Sequence, residues 1–276
     1  MPTSQHLQWN AQALWQELLP LLPGLNVEVL ASVDSTNTQL LERARRSNGR
    51  RNDDMQPCLL VAETQTQGRG RQGRAWHSSA HRSLTFSLAL SLNPPTWSGL
   101  SLAVGMALAD ALDPPEGDAP PRLGLKWPND LWLLDAPGRG RKLGGILIET
   151  LAVGEQRMAV IGIGLNVMPQ TAGADLPFGS ACLQELQPQI DVPQVLHRVA
   201  LPLVRALKRF EHEGFAPLAR AYARRDLLLG QPVSTTYPGV PEGVAEGIDE
   251  QGALRVRAGA LHTLVSGEVS VRPKAD

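Results

Sequence analysis

Met158-Ala159-Val160-Ile161-Gly162-Ile163-Gly164-Leu165-Asn166-Val167 is the stretch that leaves this chain the fewest ways to fold. At the two-residue period of a strand, Ile161, Ile163 and Leu165 share one face, and Gly162, Gly164 and Asn166 share the other. The first face has to be buried. The second is bare backbone with an amide at its end. Glycine weakens a strand, so its repetition implies that something lies close against it: a flat group, another backbone or a packed helix. Lys142 to Glu149, carrying Leu143, Ile146, Leu147 and Ile148, supplies a second strand to pair with the first.

Helical and extended periods alternate around this pair. His6 to Leu22 places Leu7, Ala11, Leu14, Leu18 and Leu22 three or four apart, the pattern of an amphipathic helix. Leu25 to Ala31 reads as a short strand, after which Ser35-Thr36-Asn37 stands where a helix through Leu40, Leu41 and Ala44 begins. Ser35 or Thr36 can cap that helix, and the same N-terminus with its hydroxyls can receive a polar ligand. Ser47 to Gln56 is a polar surface loop, Cys58 to Glu63 a buried strand, and Ser83 to Leu90 a half-buried strand. Ser98 to Leu112 is a helix closed by Asp113-Pro114-Pro115. In Arg122 to Lys126, Leu123 and Leu125 face one way and Lys126 ends the strand, because Pro128 biases Trp127 to an extended form and leaves Asn129 and Asp130 in the turn. Taken alone, a lysine at a strand end reads as a solvated side chain. Helices are expected over Val192–Phe210 and Ala216–Leu228, followed by short strands from Val233 to Arg272 that form a small barrel. The expected fold class is α+β with two domains, 1–229 and 230–276.

Between the strands at Cys58 and Ser83 lies Gly68-Arg69-Gly70-Arg71-Gln72-Gly73-Arg74, followed by Ala75-Trp76. Glycines allow close approach to a ligand, and guanidinium groups pair with phosphate or carboxylate oxygens. No Asp or Glu occurs between Glu63 and Asp110, and nothing nearby is expected to neutralise the arginines. The glycine spacing matches a dinucleotide fingerprint, but the loop does not run from strand straight into helix, and the acidic residue expected about 20 positions on is missing. A solvated basic turn remains a reading open to the loop alone.

The formal net charge of −1 gives no global basic field for non-specific nucleic-acid binding, so the arginine loop is local chemistry. Cys58 and Cys182 lack metal-ligand spacing and read as reduced thiols. No metal site built from protein side chains is expected. The sequence shows no targeting segment and no apolar run long enough to span a membrane, which gives a cytoplasmic protein as the expectation.

Ser35-Thr36-Asn37, Gly68 through Trp76, Lys126-Trp127-Pro128-Asn129-Asp130, Lys142 through Glu149 and Gly162 through Asn166 occur in the order and spacing of biotin-protein ligases. The closing Ser266 to Arg272 also resembles the end of that family's C-terminal domain. The resemblance runs from about Val27 to Arg272. It implies a class II synthetase-like catalytic domain, with a mixed, largely antiparallel sheet flanked by helices, and an SH3-like C-terminal barrel. The implied reaction has two steps: biotin and ATP, with Mg2+, give biotinyl-5'-AMP, and a lysine of a biotin carboxyl carrier protein then takes the biotin.

Residue by residue, the resemblance implies that Ser35, Thr36, Asn37 and Gln65 hold polar groups of biotin. Arg69, Gly70, Arg71 and Lys126 lie along its carboxylate and the adenylate phosphate, with Lys126, Arg69 and Arg71 as the catalytic group. Trp76, Asn129, Lys142, Asn166 and Arg71 meet the nucleotide, and Glu268 and Arg272 contact the ATP end. About 26 residues precede the first strand, too few for the DNA-binding domain of repressor-type members, so no DNA binding is expected. A lipoate ligase and a non-catalytic adenylate-binding protein are the alternatives. Pairing of two chains through an exposed strand edge is a possible homodimer mode.

Overall fold

The computed structural model describes residues 7–47, 56–153, 156–170, 179–265 and 271–273. The expected 47–56 loop, apart from its ends, and Glu268 lie outside the described residues, and Arg272 is described only as a backbone position. In chain order the helices are α1 (Ala11–Leu18), α2 (Thr36–Ser47), α3 (Leu100–Leu112), α4 (Val192–Glu213) and α5 (Ala219–Tyr222). The first seven strands are β1 (Asn26–Val33), β2 (Cys58–Gln65), β3 (Ser83–Ser91), β4 (Leu123–Lys126), β5 (Asp130–Ala136), β6 (Arg139–Val153) and β7 (Gln156–Asn166). They form one mixed sheet in the order β1-β2-β3-β7-β6-β5-β4. Five more, β8 (Pro232–Thr235), β9 (Glu242–Ile248), β10 (Leu254–Ala258), β11 (Ala260–Leu264) and β12 (Val271–Pro273), form a sheet in the order β11-β10-β9-β8-β12. It corresponds to the expected SH3-like barrel. The class is α+β, as the sequence implies, and among the described residues no helix is long and apolar enough to cross a membrane.

Packing divides the chain into two compact units. The first comprises Met1–Leu92, Leu147–Ala174 and Cys182–Val204. Here β1 runs parallel to β2, and β3 is antiparallel to both β2 and β7. The β3–β7 register places Leu84, Phe86 and Leu88 opposite Leu165, Ile163 and Ile161. These side chains form an apolar face, and each one fully buried contributes about 1.5–3 kcal/mol. The same register sets Ser83, Thr85 and Ser87 opposite Asn166, Gly164 and Gly162, which makes the other face one of small residues. On that side α2 packs Leu40, Leu41 and Ala44 against Leu60, Ala89 and Val160.

The second unit comprises Asn93–Ile146, Asp175–Ala181 and Arg205–Asp276. It holds α3, the antiparallel β4–β5 pair, the first half of β6 and the C-terminal sheet. Gly105 lets α3 approach β4, since a Cβ there would stand 3.1 Å from Leu125 Cδ2.

Three local expectations change. The helix expected over 6–22 is α1, only Ala11–Leu18: Asn10 stands ahead of it in the left-handed region, Pro20 beyond its end lacks the N–H that another turn requires, and His6 lies outside the described residues. Asp130 is not in the turn: it opens β5 and pairs across with Lys126, and β5 itself was not foreseen behind Pro128. The helix expected over 216–228 is reduced to a short 3-10 turn and the single turn of α5, because Arg225 and Leu227 bond to β4 instead of continuing a helix.

Candidate functional site

The face of β7 that carries glycine is occupied by the chain's own side chains. A Cβ on Gly162 would lie 2.3 Å from Asn37 Oδ1, and one on Gly164 would lie 2.4 Å from Trp76 Cε2. Both contacts are impossible, so each glycine exists to make room. The flat group against the strand is Trp76, and the helix end against it is the first turn of α2.

Asn37 stands in a continuous run of hydrogen bonds within the first unit. Its Nδ2 donates to Leu147 O at 3.2 Å and to Glu149 Oε2 at 3.0 Å, while its Oδ1 accepts from Ser87 Oγ at 2.6 Å. The Ser87 proton is thus committed, and the 2.6 Å contact between Thr36 Oγ1 and Ser87 Oγ must have Thr36 as donor. Thr36 N donates in turn to Gln65 Oε1 at 2.7 Å. Asp34 Oδ1 accepts from Ser35 N at 2.6 Å. Asp34 thus meets the N–H of Ser35, just ahead of α2, and the Gln65 side chain meets the first N–H of the helix. Ser35, Thr36 and Asn37 are all buried. With its oxygen engaged, Gln65 presents N–H groups; with its nitrogen engaged, Asn37 presents the second lone pair of Oδ1. One acceptor and several donors are held in fixed orientation.

The arginine loop folds on itself. Arg69 bridges Ala75, Gly70 N donates to Arg74 O at 2.7 Å, and Trp76 N donates to Gly68 O at 2.9 Å. Gly68 is required because a Cβ there would meet Trp76 O at 2.3 Å. Arg71 starts a single 3-10 turn, Arg71–Gly73. The expectation that nothing neutralises these arginines needs correcting: Glu149 reaches Arg69 from β6, with Nη2 to Oε1 at 2.9 Å and Nη1 to Oε2 at 3.4 Å. The Arg69 side chain is 46% exposed, so this pair contributes at most about 1 kcal/mol and yields readily to a better anion. Among the described residues Trp76 Nε1 is buried with no hydrogen-bond partner, a donor still available to an acceptor. Asn166 ends the same face of β7 and is buried.

In the second unit Lys126 and Lys142 converge on one carboxylate. Asp130 Oδ1 lies 2.8 Å from Lys142 Nζ, and its Oδ2 lies 3.5 Å from Lys126 Nζ. Burial alone would raise the Asp130 carboxyl, but Lys142 and then Lys126 outweigh it and hold it below the usual carboxylate range. Lys126 Nζ also stands 5.8 Å from the centre of the Trp132 ring. Asn129 Nδ2 donates to Ile146 O at 2.8 Å, which fixes the turn after Pro128.

The structure thus gathers Ser35, Thr36, Asn37, Gln65, Arg69, Gly70, Arg71, Trp76 and Asn166 in one unit, and Lys126, Asn129 and Lys142 in the other. Sequence reasoning assigned no role to Ser87, Glu149 or Asp130. Ser87 was marked by its polar position in a strand that alternates, and Asp130 by its place in the Lys-Trp-Pro-Asn-Asp block. Nothing local marked Glu149.

Residues 29–166 match the biotin/lipoate A/B protein ligase family, and residues 228–272 match the biotin protein ligase C terminal domain. The bifunctional ligase/repressor BirA of Salmonella typhimurium is 36% identical over 254 residues, which cover 90% of this chain and 74% of that protein. The biotin--[acetyl-CoA-carboxylase] ligase of Mycobacterium tuberculosis is 34% identical over 245 residues, covering 87% of this chain and 86% of that one. Among solved structures, the biotin protein ligase of Aquifex aeolicus in complex with biotin and ATP superposes with a TM-score of 0.71 at 28% identity, over 90% of this chain and 99% of that one.

Proposed function

The chain belongs to the biotin/lipoate A/B protein ligase family, and from that premise we infer an ATP-dependent biotin protein ligase acting on a biotin carboxyl carrier protein. The observation that carries biotin over lipoate is the match of residues 228–272 to the C-terminal domain of biotin protein ligases. In the first step the carboxylate of biotin attacks the α-phosphorus of ATP; an O–P bond forms, the bond to the β-phosphate breaks, and pyrophosphate leaves. In the second, the amine of an acceptor lysine attacks the acyl carbon, the C–O bond to AMP breaks, and the nitrogen loses a proton. The enzyme contributes no nucleophile, so rate comes from positioning and charge.

The polar run from Gln65 to Glu149 suits the cyclic urea of biotin, which offers N–H donors and one carbonyl acceptor. We assign Asn37 Oδ1 to a urea N–H, and the Ser35 hydroxyl and Gln65 amide to the remaining polar atoms, with Thr36 holding Gln65 in place. Arg69, Gly70, Arg71 and Lys126 are assigned to the carboxylate and the α-phosphate, where loss of one charged donor typically costs about 10²–10³ in rate. Trp76, Asn129, Lys142, Asn166 and Arg71 are assigned to the nucleotide, and the orphaned Trp76 N–H supports an acceptor arriving there. Among the described residues no group of three or more His, Cys, Asp and Glu is placed to hold a metal ion. Such a chain fits Mg2+ that enters bound to ATP, since Mg2+ takes most of its ligands from phosphate and water. Residues 1–229 are assigned as the catalytic domain and 230–276 as its small companion.

Biotin-dependent exchange of labelled pyrophosphate into ATP, without acceptor, tests the first step. Exchange with biotin and none with lipoate is expected. Exchange with lipoate alone would replace this reading with the lipoate one.

A further inference from the structure

Lys126 is the last residue of β4, and β4 ends one side of the seven-stranded sheet. An edge strand leaves its outer N–H and C=O groups to water or to another chain. Here the connector from α5 to β8 lies along it. Leu125 N donates to Arg225 O at 2.7 Å, and Leu227 N donates to Leu125 O at 3.0 Å, with Asp226 opposite Leu125 in parallel register. Arg225 Nη1 donates to Leu123 O at 2.8 Å, and its buried guanidinium is anchored by Asp110 and Asp113. On the far side of Lys126, the indole of Trp127 is fully buried, and its N–H donates to Gly252 O at 3.0 Å.

That carbonyl stands on a rigid turn. Gly252, between β9 and β10, has φ +78°, and a Cβ on it would lie 2.9 Å from Gly99 Cα and 3.0 Å from Leu102 Cδ1. Asp249 Oδ1 accepts from Gln251 N and Ala253 N, both at 2.9 Å. The turn cannot shift without moving the carbonyl that Trp127 holds. A buried indole needs some acceptor. Burial does not require that the acceptor come from the C-terminal sheet, nor that the connector to that sheet bind the residue on the other side of the same lysine.

We propose that residues 225–227 and Gly252 form a clamp that fixes the backbone on both sides of Lys126. Through it the C-terminal sheet sets where the Lys126 ammonium stands and, by way of Asp130, where Lys142 stands. Trp127 and Gly252 are positioning residues that act on the reaction through that lysine group. The proposal rests on the reading of Lys126 as a group that meets developing negative charge.

Trp127→Phe removes the N–H donor and keeps an aromatic ring; Gly252→Ala displaces the turn. With biotin and ATP saturating, each lowers pyrophosphate release by roughly tenfold to a hundredfold, the scale of a small misplacement, while the biotin Kd rises by a clearly smaller factor. In a Lys126→Ala background, Trp127→Phe adds no further loss. Thermal unfolding shows whether each variant is folded at the assay temperature, and Gly252→Ala carries the test where Trp127→Phe is not. Wild-type turnover in both variants, or losses that multiply with Lys126→Ala, would overturn the clamp. Wild-type turnover in Lys126→Ala alone would instead remove the reading of Lys126, and the clamp with it.

Discussion

Asn37 occupies the space that a side chain on Gly162 would need, and Trp76 the space beside Gly164. Gly162→Ala must therefore push Asn37 out of its bonds to Ser87, Leu147 and Glu149, each worth about 1 kcal/mol. The expected outcome is a biotin Kd raised at least about tenfold with ATP binding little changed. Gly164→Ala should do the reverse through Trp76. Calorimetric titration of both variants with both ligands checks this pair, and biotin binding at wild-type strength in Gly162→Ala would detach Asn37 from the site. The close approach to this face was legible in the glycine spacing. Its occupants were not, because the contacts join residues more than eighty positions apart. Glu149 was invisible for the same reason: its partner Arg69 is eighty positions away, and a single acid within a strand carries no local mark.

Elements with a strong period were read well, and those decided by distant partners were not. β3 and β7 declare themselves by alternation, and α2 by its apolar stripe. The segment after α5 looks helical, yet Arg225 is drawn to Asp110, Asp113 and the Leu123 carbonyl, and the connector becomes a companion to β4. Asp226 sits inside that companion with Oδ1 bonded to Leu228 N and, among the described residues, Oδ2 buried with no hydrogen-bond partner. Burial pushes its carboxyl from the ordinary 3.8 up to about 6. The folded state then binds this proton more tightly than the unfolded state. Its contribution to stability is full below the unfolded value and is lost as pH rises through the folded one. Asp226→Asn keeps the oxygen that Leu228 uses and removes the buried charge. It should stabilise the protein by up to about 3 kcal/mol near pH 7.5, with the gain shrinking as the pH falls through about 6 and nearly gone at about pH 4. Urea midpoints at the two pH values measure it, and a variant less stable than wild type at the higher pH would count against a buried, unpaired carboxylate.

For the molecule as a whole, fold class and family were within reach of the sequence, because the polar and basic motifs are local and ordered. The tie between the C-terminal sheet and the Lys126 strand was not, since it depends on one indole N–H and two backbone bonds. As proposed, this chain uses ATP to attach biotin to one lysine of a carrier protein. The most direct test is the intact mass of a biotin carboxyl carrier domain after incubation with the enzyme, ATP and equal concentrations of biotin and lipoate. A single biotinyl adduct is expected, one that disappears when ATP is omitted or the acceptor lysine is replaced. A lipoyl adduct, or an unmodified carrier beside an active control ligase, would contradict it.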